Sequence, residues 1–186
     1  KNLYKELNTL DNELIYSEAI EKSITVLKNK LSILPIKKLE NKKIAYVNLG
    51  DESGSDFVKQ MNKYAKITEV VEANPDILKQ KLRQYNIVII GHHKSNASPW
   101  KSFKFSDKDK ILLKDIIENR AYNIVLANFS KAYALSNIDL KGVDGIVMGY
   151  QNSQLAQQKV AEVLFGGIGA NGKLSVSINE EFPLGS

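Results

Sequence analysis

Apolar residues along this chain follow two rhythms. In the N-terminal part, Leu10, Leu14, Ile20, Ile24, Leu27 and Leu31 recur at intervals of three, four or six, which keeps them near one helical face. The spacing predicts a helix with a frayed lead-in, residues 1 to about 12 being the one linker candidate. Leu34-Pro35 ends the pattern, because the residue before a proline resists the helical region. Residues 1–35 thus read as linker and helix, and 36–186 as the main domain.

Beyond Pro35, short apolar runs alternate with amphipathic segments. The runs are Ile44–Leu49, Ile67–Val71, Ile87–Ile90, Ile124–Ala127 and Ile146–Met148, most of them rich in β-branched residues. Nearly continuous apolar strands are buried on both faces, as in a parallel sheet covered by helices. The intervening segments carry helix signals. Asn74-Pro75 is a cap followed by proline at the first helical position. Ser106 with Asp109 resembles a capping box. Ser153 opens a segment whose Ala156, Val160, Val163 and Leu164 share a face and which stops at Gly166-Gly167. Phe57, Met61 and Tyr64 mark a helix after the first strand. The last run, Leu174 to Ile178, alternates, and the turn before it is too short for a parallel crossover, so it is expected to form an antiparallel edge strand. The expected fold is α/β, a three-layer α/β/α sandwich. Its mostly parallel sheet has about six strands, one of them the antiparallel edge.

Composition narrows the chemistry more than the fold. The 186 residues contain no cysteine, which removes disulfides, Cys-ligated metal, iron–sulfur clusters and thiol nucleophiles. No stretch approaches the roughly 20 apolar residues of a membrane span. The net charge is +5, but only Arg83 and Arg120 are arginines. Lysines scattered among acids describe a solvated surface better than a nucleic-acid site, which usually recruits arginine forks.

Ligands in open α/β sheets collect at the carboxyl ends of strands, so those ends carry the candidates. The loop Gly50-Asp51-Glu52-Ser53-Gly54-Ser55-Asp56 lacks phosphate-loop spacing and holds three carboxylates, and Ser53 or Ser55 reads as a helix cap. Gly91-His92-His93-Lys94-Ser95-Asn96 contains both histidines of the chain. Neighbours on an extended chain point to opposite sides, which suits a shared metal poorly. The pair reads either as structural or as facing a ligand or interface. A serine–histidine pairing through Ser95 or Ser130 has no support from spacing. Trp100 follows in a long loop. Asn128 to Leu135, including Tyr133, and Gly149 to Asn152, including Tyr150, are polar loops with aromatics suited to a ligand or a domain interface. The candidate rim or interface residues are therefore His92, His93, Lys94, Trp100, Asn128, Tyr133, Tyr150 and Asn152. No paired carboxylates, metal set or nucleophile–base pair stands out. No cofactor is expected.

Two segments carry a resemblance. Ala19–Asn29, followed by Ile33-Leu34-Pro35-Ile36, resembles the start of the second domain of family 3 glycoside hydrolases, with its Ala…Ser-x-Thr-Leu-x-Lys-Asn and Leu-Pro-Leu. Ala161–Ile178, followed by Phe182-Pro183-Leu184-Gly185, resembles that domain's closing motif, although Ser175 stands where the family usually has proline. The resemblance covers residues ~17–185.

The resemblance implies a catalytic (β/α)₈ barrel upstream in the same polypeptide, carrying the aspartate nucleophile of a retaining mechanism. In β-glucosidase-like members, a glutamate in the loop after strand three of the sandwich acts as acid/base. The equivalent stretch, Gly91 to Lys110, has no glutamate, only Asp107 and Asp109. It therefore resembles the β-N-acetylhexosaminidase branch, where a histidine on a barrel loop does that work. Ile146–Ser153 with Gln157 is similar to bacterial members of that branch, some of which continue into a serine β-lactamase-like domain. The implied function is a non-catalytic C-terminal domain of a hydrolase of β-linked N-acetylhexosaminides or β-glucosides. It would support the barrel or the substrate rim and meet carbohydrate only indirectly. The branch favours a periplasmic or envelope setting and leaves a cytoplasmic one open. The alternatives are a carbohydrate-binding or protein-interaction module of flavodoxin-like topology, or a small-ligand domain of that topology.

Overall fold

A computed structural model describes residues 3, 6, 9–96, 102–118 and 120–186. Helix α1 spans Leu10–Ser23, and the Thr9 side chain accepts from the Asn12 amide at its start. Strand β1 (Thr25–Asn29) follows directly. Then come β2 (Ile44–Gly50), α2 (Ser55–Met61), β3 (Ile67–Glu69), α3 (Pro75–Leu82), β4 (Ile87–His93), α4 (Asp107–Glu118), β5 (Asn123–Phe129), β6 (Gly145–Met148) and α5 (Gln154–Phe165).

The six strands form one sheet in the order β1-β6-β5-β4-β2-β3. Strands β2 to β6 pair in parallel, and β1 joins β6 antiparallel. The five parallel strands thus have the doubly wound order 2-1-3-4-5, whose direction of winding reverses between β2 and β4. Helices α3 and α4 cover one face, where Ala45, Val47, Val88, Ile90, Ile124 and Leu126 meet Leu78, Leu112 and Leu113. Helices α2 and α5 cover the other, where Tyr46, Ile89, Val125 and Val147 meet Phe57, Met61, Val160 and Leu164. Strand β4, at the centre, is buried at every position. The three-layer sandwich expected from the apolar runs is the observed architecture.

The helix signals act as their chemistry requires. The Asn74 side chain accepts from the Asp76 and Ile77 amides. Ser106 and Asp109 bond reciprocally, each side chain accepting from the other's backbone amide. The Ser153 hydroxyl accepts from the Ala156 amide, and Gly166 ends α5 at φ 78°. At α2 the cap residue is Gly54, while Ser53 Oγ accepts from the Ser55 amide.

Two expectations are corrected. The N-terminal helix stops at Ser23 rather than continuing through Leu31. Ile24-Thr25-Val26 is a β-branched run whose stiff side chains fit a pleated surface. Ile24 and Val26 face the α2/α5 layer while Leu27 faces the α3/α4 layer, a division across two faces that only a strand makes. The 3–4 spacing misleads because four residues is also an even number of strand steps. Asn29 closes the strand: its amide donates to the Leu34 carbonyl and its side-chain oxygen accepts from the Leu34 amide, both at 2.9 Å. Leu31 lies outside the core altogether.

The antiparallel edge strand is therefore β1, and Leu174–Ile178 is not a strand of the sheet. Its alternation is real, with Leu174 and Ile178 buried and Ser175 and Ser177 exposed. Its backbone bonds, however, go to the chain's own tail: Leu174 N to Ser186 O, Ile178 N to Phe182 O and Gly185 N to Leu174 O. Leu174, Ile178 and Phe182 close the α3/α4 layer.

Asp144, just before β6, is buried and accepts from both Arg120 and the Ile124 amide. Arg120 is partly solvated, so it recovers water when its partner goes, whereas the Ile124 amide does not. Asp144→Ala is expected to cost about 3 kcal/mol and Arg120→Ala about 1 kcal/mol in urea unfolding. Equal costs for the two variants would contradict this account of the site.

Candidate functional site

The parallel strands present their carboxyl ends along one edge, which gathers Gly50, His93, Phe129 and Met148 with the loops that follow. The two histidines separate there onto opposite faces, as adjacent strand residues must.

His92 faces the α3/α4 layer. Its ring stacks on Phe105 at a centroid distance of 3.6 Å, and Nδ1 lies 2.7 Å from Asn128 Oδ1. The Asn128 amide nitrogen donates to the Ser130 carbonyl, so its oxygen is the acceptor and His92 Nδ1 carries the proton. Nε2, buried with no partner among the described residues, holds the lone pair. Burial pushes the His92 pKa down to about 4, because a charged ring would lose its hydration.

His93 faces the α2/α5 layer and anchors a longer network. Nδ1 donates to Asn152 Oδ1 at 2.7 Å, and Nε2 lies 2.8 Å from the Tyr46 hydroxyl. That hydroxyl also lies 2.8 Å from Asn48 Oδ1, so one phenolic proton serves two acceptors. The Gln157 amide donates to Asn152 Oδ1 at 2.9 Å and to the Ser53 carbonyl at 3.0 Å, while its oxygen accepts from the Phe57 amide. Asn48 donates to the Glu52 carbonyl. The network thereby ties β2, β4, the loop into α2, the loop into α5 at Asn152, and α5 itself through Gln157. It needs close backbone approach: a Cβ at Gly91 would fall 2.3 Å from His93 Nε2, and one at Gly54 2.0 Å from the Tyr46 hydroxyl. Burial holds the Tyr46 hydroxyl well above the ordinary phenol range and pushes His93 down to about 4.

The remaining candidates are spread along the same edge. Lys94 is buried and pairs with Asp51 at 2.9 Å. It lines a cleft of about 510 Å³ at the winding reversal, with Asn48, Glu72, Ser106 and Asp109. Tyr133 stands half exposed after β5. Tyr150, at φ 62°, turns its hydroxyl to Thr25 Oγ1 at 2.9 Å and so fastens the edge strand. Trp100 lies outside the described residues. Tyr46 and Asn48 were not singled out from sequence, although a polar Asn48 inside an otherwise apolar run is a usable signal.

What the edge offers chemically is shape and fixed polarity. Among the described residues no cluster of three or more histidines and carboxylates could hold a metal ion. Ser130 donates to the Phe103 carbonyl rather than to a histidine. Asp109 is bound to Ser106 and Asp107 to Lys110, so both acids of segment 91–110 serve the start of α4. No helix among the described residues is long and apolar enough to cross a membrane.

The family model described as "Glycosyl hydrolase family 3 C-terminal domain" matches residues 24–182. Solved structures resemble the chain in fold. A β-N-acetylglucosaminidase of glycoside hydrolase family 3 from Paenibacillus sp. has a TM-score of 0.68 at 17% identity, over 90% of this chain and 32% of that one. A β-glucosidase from Listeria innocua bound to glucose has a TM-score of 0.71 at 17% identity, over 95% of this chain and 28% of that one. The β-glucoside phosphorylase BglX has a TM-score of 0.66 at 18% identity, over 89% and 31%. The chain thus spans about a third or less of each of these proteins. No curated protein sequence matches it.

The two histidines make folding pH-dependent. An unfolded histidine titrates near 6.5, against about 4 in the fold, so between those values the unfolded chain binds more protons. Stability is expected to fall as pH drops from 6.5 to 4, by on the order of 3 kcal/mol per histidine, and to level off below. Urea unfolding from pH 7.5 to 4 measures this, and His93→Gln should remove about half the slope. A flat wild-type profile above pH 4.5 would refute the buried neutral state.

Proposed function

The chain belongs to the glycosyl hydrolase family 3 C-terminal domain family, and from that premise we propose that it is the non-catalytic second domain of a hydrolase. The substrates would be β-linked N-acetylhexosaminides or β-glucosides, cleaved on a (β/α)₈ barrel that precedes the domain in the same polypeptide. The domain supports that barrel and shapes the rim of its substrate site with the loops at His92–Lys94, Asn128–Tyr133 and Tyr150–Asn152.

The observation that carries this reading is the state of the polar groups on the carboxyl edge. His93, Tyr46, Asn152 and Gln157 are spent on one another, and His92 is held through Nδ1 by Asn128 with its ring stacked on Phe105. General acid–base chemistry needs a titrating group free to reach a substrate proton, and the acids of segment 91–110 are committed to a helix start. That segment also lacks the glutamate of the β-glucosidase arrangement, which favours the N-acetylhexosaminidase branch. A further domain after Ser186 is compatible with that branch.

The cleft of about 510 Å³ at the winding reversal favours a second reading, a carbohydrate-binding module. Titration of the isolated chain with chitin oligosaccharides by calorimetry separates the two. Submillimolar binding supports the module, and no heat supports the rim.

The principal test is turnover of a chromogenic N-acetylglucosaminide or glucoside. The isolated chain is expected to show none above buffer, and the polypeptide carrying the barrel is expected to hydrolyse one of them. Clear turnover by the isolated chain would sink the proposal.

A further inference from the structure

The chain after α5 wraps the sheet. Ile168 and Ala170 pack on the α2/α5 layer, while Leu174, Ile178 and Phe182 are buried in the α3/α4 layer. Between Ala170 and Leu174 the backbone therefore passes from one face to the other, and it passes beside the start of β1. There Gly172 N donates to Ile24 O at 3.0 Å, and a Cβ on Gly172 would fall 2.3 Å from Ser23 O and 2.6 Å from Ile24 O. Past the crossing, Glu181 pairs with Lys28 of β1 at 3.1 Å, and Lys28 also donates to the Leu140 carbonyl. Residues 170–182 thus form a strap around the edge strand, tied at Ile24 and at Lys28.

A sheet edge is a template for further strands unless something blunts it. The far edge, β3, has only three residues, and Glu69 is exposed at its end. Strand β1 has no such protection in its own sequence. Ile24-Thr25-Val26-Leu27 is uncharged, and Ile24, Thr25 and Val26 are β-branched. Among the described residues no backbone bond reaches Thr25–Asn29 from outside the sheet. A groove of about 540 Å³ opens beside Val26, lined also by Leu34, Val163 and Ile168.

We infer that the strap is a guard that keeps β1 from pairing with β1 of a second copy of this chain, and that lifting it at Gly172 joins two sheets edge to edge. The self-complementarity of β1 selects that occupant. A two-fold axis makes identical strands antiparallel. Pairing about Leu27 sets Lys28 opposite Val26 and Lys30 opposite Ile24, so no two cations face each other. The same register lays Asn29-Lys30 of the incoming strand across Thr25 and Ile24, where Gly172 sits, so strap and second strand exclude each other. The groove beside Val26 leaves room on that side for the incoming side chains.

The test is Gly172→Ala, whose Cβ has no room against the Ser23 carbonyl. Loss of the one backbone bond is expected to raise the lifted fraction roughly tenfold. A peptide of residues 22–30 then binds about tenfold more tightly than to the wild type, and the dimer forms about a hundredfold more tightly, because two straps must lift. Calorimetric titration with the peptide and sedimentation of the 1–186 chain read the two. The peptide should dissociate the dimer, and Val26→Lys added to Gly172→Ala should abolish it. Glu181→Lys breaks the second tie at a half-exposed residue, so it keeps the test open where Gly172→Ala does not fold, and it is expected to give the same dimer more weakly. Variants that stay monomeric and take up no peptide overturn the inference. So does a dimer that the peptide leaves intact, as one built by exchanged tails or through another face would be.

Discussion

The carboxyl edge of the sheet is governed by one constraint: polar groups buried at the end of β4 must find their partners inside the protein. His92 and His93 are fully buried next to strands with almost no polar side chains. An imidazole left without partners there would cost about as much as a lost hydrogen bond or more. The fold answers by bringing polar groups from distant parts of the chain. Asn128 comes from β5, Tyr46 and Asn48 from β2, Asn152 from the loop after β6 and Gln157 from α5. Each sits where it does because the histidine rings fix a distance and a direction. The loops that carry them inherit that order, so the rim takes its shape from bonds beneath it. Among the described residues His92 Nε2 is the one buried side-chain polar atom left without a partner, and the flat face of Phe105 covers its ring.

Much of the fold was legible because its causes are local. Four of the five parallel strands, all but the edge strand β3, are largely apolar runs buried on both faces. Asn74, Ser106 with Asp109, and Ser153 announce helix starts through bonds that span only two or three residues. What could not be read is non-local. Whether Thr25–Asn29 is helix or strand depends on a free edge at β6, and whether Leu174–Ile178 joins the sheet depends on that edge being already taken. The tail then pairs with itself because its alternation still needs a buried face, which the α3/α4 layer supplies.

The candidate site was legible in its location and not in its wiring. Strand ends in an open α/β sheet pointed to the loops that the buried networks join, and the alternation of a strand divided the two histidines onto opposite faces. The partners of His93 lie 47, 59 and, through Asn152, 64 positions away in the chain, and nothing in sequence spacing ties them together. The clearest trace was indirect: an asparagine at position 48 amid apolar neighbours, and glycines at 54 and 91 where any Cβ would strike the network.

The same constraint bears on what the edge can do for a neighbour. A carboxyl edge whose His93 network is bonded to itself has little hydrogen-bonding capacity left there to trade with a neighbour. The exposed apolar side chains after its strands include Val71 and Tyr133. Burial of that kind is not directional, so it can hold a domain without specifying its orientation. Orientation must then come from shape, and shape is what the buried network fixes. On the proposed reading the histidines influence catalysis without approaching a substrate. Replacing His93 would loosen the loops at residues 50–54 and 149–153 together, because both hang from the same bonds. On that proposal, a domain without a catalytic group sets the geometry of a site completed by another, with the stiffness of the network as its contribution to the chemistry.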